Sequence, residues 1–162
     1  MTTRKFLMTA AMVLPFALSA QEQWITRTGT VSFFASTAME NIEAKNNSVS
    51  SVFDATTGEV VFSALIKSFE FKKALMQEHF NENYMESTKF PKASFKGKVD
   101  GIKPGDLRKP GTYEVTVSGE MTMHGVTKPV STKGSFVVAP TGSVKASCDF
   151  IVIPEDYGIK IP

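Results

Sequence analysis

The sequence is poor in the residues that enzymes most often use for chemistry. Its 162 residues include two histidines, His79 and His124, and a single cysteine. It contains no G-x-S-x-G, H-E-x-x-H or C-x-x-C motif and no glycine-rich phosphate loop. A metal site would need an acidic residue beside both histidines, and the adjacent side chains of Glu155 and Asp156 would diverge in a strand. We therefore expect no enzyme activity, no bound metal and no cofactor.

The single cysteine, Cys148, excludes a disulfide within the chain. It alternates with Val144, Ala146 and Phe150, so we predict that it is buried as a small apolar side chain. A chain without disulfides must be held together by its core, and about 140 residues are enough to form one.

Long apolar runs are also scarce, and the one that stands out lies at the start. Arg4 and Lys5 precede an apolar run from Phe6 to Leu18, which ends at Ser19 and Ala20. This pattern is typical of a secretory signal peptide, and the run is too short to span a bilayer well. We predict a signal peptide over residues 1–20, export to the periplasm or beyond the cell, and no stable membrane insertion after its removal. Residues 21–162 then form one domain.

The exported part carries no excess charge. Residues 1–20 hold two of the 18 basic residues and none of the 16 acidic ones, so the remainder has 16 of each. A neutral domain offers no electrostatic argument for a nucleic-acid partner, and we expect none.

Alternating strands make up most of the chain. The clearest is Thr112 to Met123, where one face carries every second residue: Tyr113, Val115, Val117, Gly119, Met121 and Met123. It leads through His124-Gly125 and Lys128-Pro129 to a second run ending at Val138, which predicts a hairpin with a turn of about five or six residues.

Further strands are predicted at 30–35, 48–55, 59–68 and 143–153, and another follows the extended start at Lys89-Phe90-Pro91, with Phe95, Gly97 and Val99 on one face. Between the first two, Asn46-Asn47 reads as a turn, and Asn46-Asn47-Ser48 matches the glycosylation sequon. The strand at 59–68 is apolar on both faces, which predicts a central strand with other parts of the chain packed partly over each face. Over 69–83 the period changes: Phe71, Leu75 and His79 recur four residues apart and predict one short amphipathic helix with these residues inward. Many short strands and one helix indicate an antiparallel barrel or sandwich.

The apolar face of these elements is rich in phenylalanine and methionine, which suit an adaptable apolar cavity. Plain core packing gives the same pattern, so composition does not separate a hollow barrel from a solid one. If the assumed register of a strand is wrong by one residue, its predicted inward and outward residues are exchanged. The predicted ligand-facing residues are Val31, Phe33, Phe53, Phe62, Ala64, Leu75, His79, Phe95, Val115, Val117, Met121, Met123, Phe136 and Phe150.

Three segments together resemble the YceI-like family of exported polyisoprenoid- and lipid-binding proteins. Asn83 to Phe95 is similar to the family's helix-to-strand segment with its Phe-Pro-x-x-x-Phe, and Asp156-Tyr-Gly-Ile159 is similar to its terminal element. The most specific piece is Gly-Glu-Met-Thr-Met-His-Gly-Val-Thr-Lys-Pro-Val over 119–130, which resembles the family's hairpin.

The resemblance implies a mainly-β chain: one antiparallel lipocalin-like β-barrel with a short α-helix over one mouth. It also implies an elongated apolar cavity that holds a polyisoprenoid or other lipid tail for transport, storage or sequestration. In the family a further segment and a final strand follow the tyrosine-glycine element, whereas this chain ends at Pro162. We therefore expect a barrel that lacks its last strand or is closed by another element. The alternative is a non-catalytic interaction module with a solid barrel, in which the missing strand would favour a homodimer.

Overall fold

The computed structural model describes residues 22–36 and 41–160. The predicted signal peptide lies outside the described residues. The rest is mainly β, with one helix, α1 (Ala74–His79), that continues directly into a π-helical turn, Phe80–Tyr84. The strands are β1 Gln23–Ser36, β2 Asn41–Asp54, β3 Glu59–Leu65, β4 Glu70–Phe71, β5 Lys92–Asp100, β6 Gly111–Met123, β7 Val126–Val138 and β8 Val144–Cys148.

The strands form one antiparallel sheet that curls strongly into a half-barrel. Its order is β1-β2-β3-β5-β6-β7-β8, and the short β4 pairs with the first part of β2. Over residues 22–36 and 41–160, no strand pairs with the outer edge of β1 or of β8. We call the gap between these two edges the open seam. The predicted antiparallel, mainly-β fold with one short helix is confirmed, in the form of a curled sheet.

The β6–β7 hairpin is longer and tighter than predicted. Pairing runs from Gly111–Val138 to Met123–Val126, which leaves a turn of only two residues. His124 and Gly125 both have positive φ angles, of 51° and 76°, as in the turn type whose twist matches that of paired strands. The predicted turn of five or six residues was wrong, because the Lys-Pro pair that suggested it lies inside β7.

Two facing glycines allow the sheet to curl in the middle. Gly97 of β5 is paired with Gly119 of β6. A Cβ atom on Gly119 would collide with the Cα of Gly97 and with the carbonyl of Lys96, and one on Gly97 would meet the Phe95 ring. The strands approach so closely here that only glycine fits at both positions.

The predicted turn at Asn46-Asn47 was wrong, because these residues lie inside β2. Between Gly29 and Val31 the partner positions in β2 move from Val49 to Asn46, so β2 has one extra residue there. This is a β-bulge. The Asn46 side chain is fully buried and bonded on both sides, to Leu65 and Ser48, so its amide is not available to the glycosylation that the sequon suggested.

Strands β3 and β8 are shorter and more exposed than predicted. Strand β3 ends at Leu65, and its outer face is open to solvent, with Val61 44% and Leu65 53% exposed. Strand β8 ends at Cys148 rather than at residue 153. Cys148 is exposed, so its predicted burial was wrong: it lies beside the open seam, and none of the described strands pairs with the outer edge of β8 there.

The core consists of two apolar clusters stacked along the inside of the half-barrel. The base cluster, near the start of β6, contains Phe53, Ala55, Val99, Leu107, Val115, Phe136 and Val138. The helix-end cluster, near the end of β6, contains Ile66, Met85, Phe95, Met121, Tyr157 and Ile159. The interior is therefore apolar from one end to the other.

Candidate ligand-binding face

The concave face of the sheet collects most of the residues that the alternation predicted to point inward. Six of the fourteen are buried, namely Phe53, Ala64, Phe95, Val115, Met121 and Phe136. Five are half-buried, namely Val31, Phe33, Phe62, Val117 and Met123. Three are exposed, namely Leu75, His79 and Phe150. The period-2 pattern therefore placed its strand residues on one face, and the exposed three lie in the helix and beyond β8.

The base end is closed by the loop between β5 and β6, which contains the 3₁₀ turn Asp106–Arg108. Leu107, between two Pro-Gly turns, is only 1% exposed and belongs to the base cluster. The Glu22 carboxylate holds this loop in place: it accepts hydrogen bonds from the Gly105 backbone N–H at 2.9 Å and from Arg108 Nε at 3.1 Å. The clue available in the sequence was that Leu107 is a large apolar residue inside a polar, turn-rich segment.

The middle of the concave face joins the two clusters. Val60 of β3 and Val117 of β6 are half-buried and pack against both. Two ring pairs flank this level. Phe53 and Phe136 lie with their ring centroids 5.1 Å apart on the base side, and Phe62 stacks on Phe95 at 5.4 Å on the helix side. Anything bound along the face would have to pass Val60 and Val117 between these rings.

The helix end is lined by four phenylalanines, Phe33, Phe69, Phe71 and Phe80, which we call the phenylalanine cluster. Phe33 of β1 lies 5.7 Å from Phe69, 6.0 Å from Phe71 and 5.6 Å from Phe80 between ring centroids. Such aromatic contacts stabilise beyond simple area burial. The cluster joins the end of β1 to the helix, so helix and sheet meet through aromatic rings.

The helix presents a different face from the one predicted. Leu75 is 62% exposed and His79 is also exposed, so the predicted inward row of Phe71, Leu75 and His79 was wrong beyond Phe71. Phe80 and Tyr84, in the π-helical turn, contact the helix-end cluster instead. A π turn shifts the side-chain phase, which a plain 3.6-residue period does not anticipate. No residue of Ala74–Tyr84 is fully buried.

His124 fastens three segments together at the helix end. Its Nδ1 lies 3.1 Å from the Tyr157 carbonyl oxygen, and its Nε2 lies 2.9 Å from Glu86 Oε2. Its ring also packs against Phe90, with centroids 4.5 Å apart. Both polar neighbours are hydrogen-bond acceptors, so a ring protonated on both nitrogens donates to both. His124 therefore ties the hairpin tip to the segment after the helix and to the last 3₁₀ turn, Pro154–Tyr157.

Trp24 is an inner-face residue that lies before the predicted first strand, 30–35. It lies in β1, pairs with Phe53 of β2 and packs against the base cluster. Its indole Nε1–H is buried and has no acceptor within the described residues, which costs about 1–3 kcal/mol unless a water or ligand accepts it. Plain alternation counted back from Val31 and Phe33 would have placed Trp24 on the outer face, and the register shifts between Thr26 and Val31 bring it inward.

Two shallow grooves lie outside, on either side of the helix. One, of about 490 Å³, is lined by Phe71, Lys72, Ala74, Gln77, Glu78, Asn81 and Glu82. The other, of about 260 Å³, is lined by Phe34, Asn41, Glu43, Lys72, Lys73 and Met76. Lys72 separates the two and pairs with Glu43 at 2.8 Å. The grooves give the helix free space on both flanks.

Titratable groups contribute little to the concave face. In the part of the chain that the structure describes, no three His, Cys, Asp or Glu residues are placed to hold a metal ion. Burial raises two pKa values, one at the seam and one at the helix end. Partial burial, helped by Asp149, raises the pKa of the Cys148 thiol, and burial, helped by Asp156, raises the pKa of Tyr157. Across residues 22–36 and 41–160, no helix is both long and apolar enough to cross a membrane.

The family model of the YceI-like domain matches residues 23–161, almost the whole described chain. The chain belongs to the YceI-like family. The resemblance noted in the hairpin and the terminal segments is thereby confirmed. A search of proteins with curated functions found no significant match.

Solved structures share the YceI-like fold at low sequence identity. A polyisoprenoid-binding domain from Saccharophagus degradans, implicated in plant cell wall breakdown, is 12% identical and superposes with a TM-score of 0.70, over 87% of this chain and 83% of that one. The YceI protein of Campylobacter jejuni is 12% identical with a TM-score of 0.52, over 97% and 85% of the two chains. BcnA of Burkholderia cenocepacia is 10% identical with a TM-score of 0.50, over 85% and 74%. At these identities the likeness establishes the fold alone.

Proposed function

We propose that this YceI-like chain is an exported binding protein that holds a long apolar tail, of a polyisoprenoid or another lipid, against its concave face. The observation that carries the proposal is the continuous apolar lining from the base cluster to the helix-end cluster, with Val60 and Val117 in contact with both. Each buried methylene contributes about 0.8 kcal/mol, so a long tail needs no charged anchor. The role is transport, storage or sequestration and requires no chemistry from the chain.

The proposal gains support from the relative from Saccharophagus degradans, whose structure is described as a polyisoprenoid-binding domain. It also gains support from Trp24, because its buried and unpaired N–H is a donor that a polar group of the ligand can use. The eleven predicted residues that are buried or half-buried in the structure would contribute apolar surface along the tail.

Entry of a tail is most easily accommodated at the helix end. No residue of the helical segment is fully buried, and grooves flank it on both sides. Moving it would separate Phe80 and Tyr84 from the rings and side chains they pack against, and Phe33, Phe69 and Phe71 would then receive the tail first. The exposed Leu75 and His79 would then lie on the outside of this gate rather than against the tail.

A second function is favoured by the ring pair Phe53–Phe136. Its centroid distance of 5.1 Å brings rings of β2 and β7 into contact across the interior, whereas Phe62 and Phe95, at 5.4 Å, are paired residues of the neighbouring strands β3 and β5. A chain packed this way without a ligand would be a non-catalytic interaction module with a solid interior.

The experiment that separates the two is native mass spectrometry of the protein purified from the compartment to which residues 1–20 direct it, followed by lipid extraction. Two substitutions on β3 make a matched pair. Val60→Trp fills the passage between the clusters, whereas Val61→Trp places the same ring on the outer face, where Val61 is 44% exposed. Circular dichroism and thermal melting establish that both variants fold.

A carrier is expected to release a defined apolar molecule, to lose it with Val60→Trp and to retain it with Val61→Trp. A solid module is expected to carry nothing. In that case Val60→Trp only overpacks the core and lowers stability by about 1–3 kcal/mol. A wild-type protein that is empty after purification, and that takes up no isoprenoid alcohol or fatty acid, overturns the proposed function.

A further inference from the structure

The tip of the β6–β7 hairpin is tied to two other parts of the chain through one titratable ring. His124 Nε2 lies 2.9 Å from Glu86 Oε2, and His124 Nδ1 lies 3.1 Å from the Tyr157 carbonyl oxygen. An imidazolium carries two N–H groups and donates to both oxygens, whereas a neutral imidazole carries one and leaves its other nitrogen facing an oxygen without a proton between them. The two contacts are therefore complete only when the ring is protonated. We call these three residues the His124 latch.

The two side chains of the latch that carry charge belong to residues with an uncommon backbone conformation. Glu86 has a φ angle of 43° and His124 one of 51°, and no other non-glycine residue among 22–36 and 41–160 has a positive φ. Residues with a Cβ atom rarely adopt this region, and they keep it where surrounding contacts hold them. Loss of the contact between Glu86 and His124 therefore favours rearrangement of the backbone at both residues.

The latch is connected to the π-helical turn that contributes Phe80 to the phenylalanine cluster. The Met85 N–H donates to the Phe80 carbonyl at 2.9 Å, and the Ser87 N–H donates to the Asn81 carbonyl at 2.8 Å. Glu86 lies between these two hydrogen bonds, so a displacement of Glu86 is transmitted to the turn. When Glu86 moves away from the hairpin tip, the turn and the Phe80 ring move with it.

In the position that the structure shows, which we call closed, the turn contains an unsatisfied polar atom. Asn81 Nδ2 donates to the Gln77 carbonyl at 2.9 Å, but Asn81 Oδ1 is buried and has no donor within the described residues. A buried acceptor without a partner is unfavourable, and this penalty is relieved when the turn moves and water reaches the oxygen. The closed position therefore depends on contacts elsewhere that offset the penalty, and the latch supplies two of them.

We propose that the His124 latch closes the helix end in a pH-dependent way: protonation of His124 holds the π-helical turn closed, and loss of the proton releases it. Only the closed position offers the ring both acceptors, so it binds the proton more tightly than the open one. Closing is then favoured at acid pH and weakens as the pH rises through the range in which histidine side chains titrate. Provided that the function proposed above is correct, a bound tail is retained at acid pH and exchanges faster above it.

The elements packed against His124 carry slightly more acidic than basic side chains. The segment after the helix contributes Glu86 and Lys89, and Lys89 Nζ lies 4.0 Å from Glu86 Oε1. The Tyr157 phenol, whose pKa is raised by burial, stays neutral over the range in which histidine titrates. The remaining charged residues are Glu155, Asp156 and Lys160 around the last 3₁₀ turn, and Glu120 and Lys128 in the hairpin itself. Glu86 is within hydrogen-bond distance of the ring, so it is the main group that favours the imidazolium.

Hydrogen exchange of lipid-stripped protein, followed by mass spectrometry, tests the latch without any ligand. Exchange rates between about pH 5.5 and 8 are corrected for the pH dependence of unprotected amides, and the remaining protection of residues 80–90 is compared. We expect this protection to fall roughly three- to tenfold in the wild type as the pH rises, as for the loss of one net hydrogen bond.

Three variants make the exchange measurement specific. His124→Asn keeps the hairpin turn, because asparagine favours a positive φ there, but it does not titrate, so its protection should be the same at both pH values. Glu86→Gln can donate or accept as the ring requires and should show a smaller pH response. His79→Asn is the matched control, because His79 is the other histidine of the chain and is exposed on the helix, and it should respond as the wild type does. A wild-type response that is flat, or one that persists in His124→Asn, overturns the proposal.

Release of a bound isoprenoid alcohol, whose head group does not titrate, tests the consequence for the ligand. The release rate is expected to rise with pH in the wild type and to be independent of pH in His124→Asn. A ligand that binds but leaves the wild type at the same rate at both pH values overturns the regulatory role of the latch. A chain that takes up no isoprenoid alcohol or fatty acid overturns the proposed function instead, and the exchange of the lipid-free protein then decides the latch by itself.

Discussion

Asn46 provides a sharp test of how the half-barrel is held together. Its side chain is fully buried and joins two strands. Its Nδ2 donates to the Leu65 carbonyl, at the end of β3, at 2.9 Å, and its Oδ1 accepts from the Ser48 N–H, within the β2 bulge, at 2.8 Å. The side chain therefore links the bulge of β2 to the end of β3.

The substitution Asn46→Ala removes both of these hydrogen bonds at once. Leaving a buried donor or acceptor unsatisfied costs about 1–3 kcal/mol. The two backbone groups belong to Ser48 and Leu65, which water can reach, so we predict a total loss of about 1–3 kcal/mol. That is a measurable part of a typical domain stability of about 5–15 kcal/mol. If water enters the space left by the amide, the loss falls toward the lower figure.

Urea unfolding followed by circular dichroism measures this loss, provided that the free energy of unfolding falls with urea concentration at the same slope in both proteins. Asn47→Ala is the matched control, because Asn47 is exposed in the same bulge, and we expect it to change stability by less than about 0.5 kcal/mol. Asn46→Asp keeps the acceptor for Ser48 but turns an oxygen toward the Leu65 carbonyl, so it should remain clearly destabilised. An Asn46→Ala protein as stable as the Asn47→Ala protein would refute the reasoning.

Two further predictions concern the helix end. His124→Ala removes the contacts to Tyr157 and Glu86 and should cost about 1–3 kcal/mol in urea unfolding; equal losses in His124→Ala and Glu86→Ala would contradict the role given to the Tyr157 contact. Burial raises the pKa of Tyr157, so the folded chain keeps a proton that the unfolded chain releases, and stability should fall as the pH rises above about 10. Melting temperatures from pH 8 to 11 should decline less steeply in Tyr157→Phe than in wild type, and identical slopes would count against this cause.

Much of the fold followed from local patterns. Strict alternation from Tyr113 to Met123 identified β6 and its inward face, and the same period placed Phe53, Phe95 and Phe136 inside. Such positions are predictable because a strand has a side-chain period of two wherever one face is buried. The helix-to-strand segment and the hairpin sufficed to suggest the family, which the match over residues 23–161 confirms.

Predictions from the local sequence pattern were wrong where a contact with a distant residue outweighed the local structural preference. Asn46 looked like a turn residue, but its amide is satisfied by Leu65 from the neighbouring strand. Leu107 lies in a polar segment rich in Pro and Gly, which is typical of an exposed loop, but it fills the base cluster. Leu75 and His79 looked inward on a regular helix, but the π turn that follows brings Phe80 inward in their place.

The sequence by itself determined the strand faces, the apolar character of the interior and the family to which the chain belongs, because these depend on side-chain order along single strands. Only the tertiary structure decided how far the sheet closes and what its edges expose. Cys148 and Phe150 alternate with apolar neighbours as buried residues do, yet both are exposed. Their burial requires a further strand across the open seam. Whether such a strand is present depends on pairing between distant parts of the chain, which alternation along a single strand does not reveal.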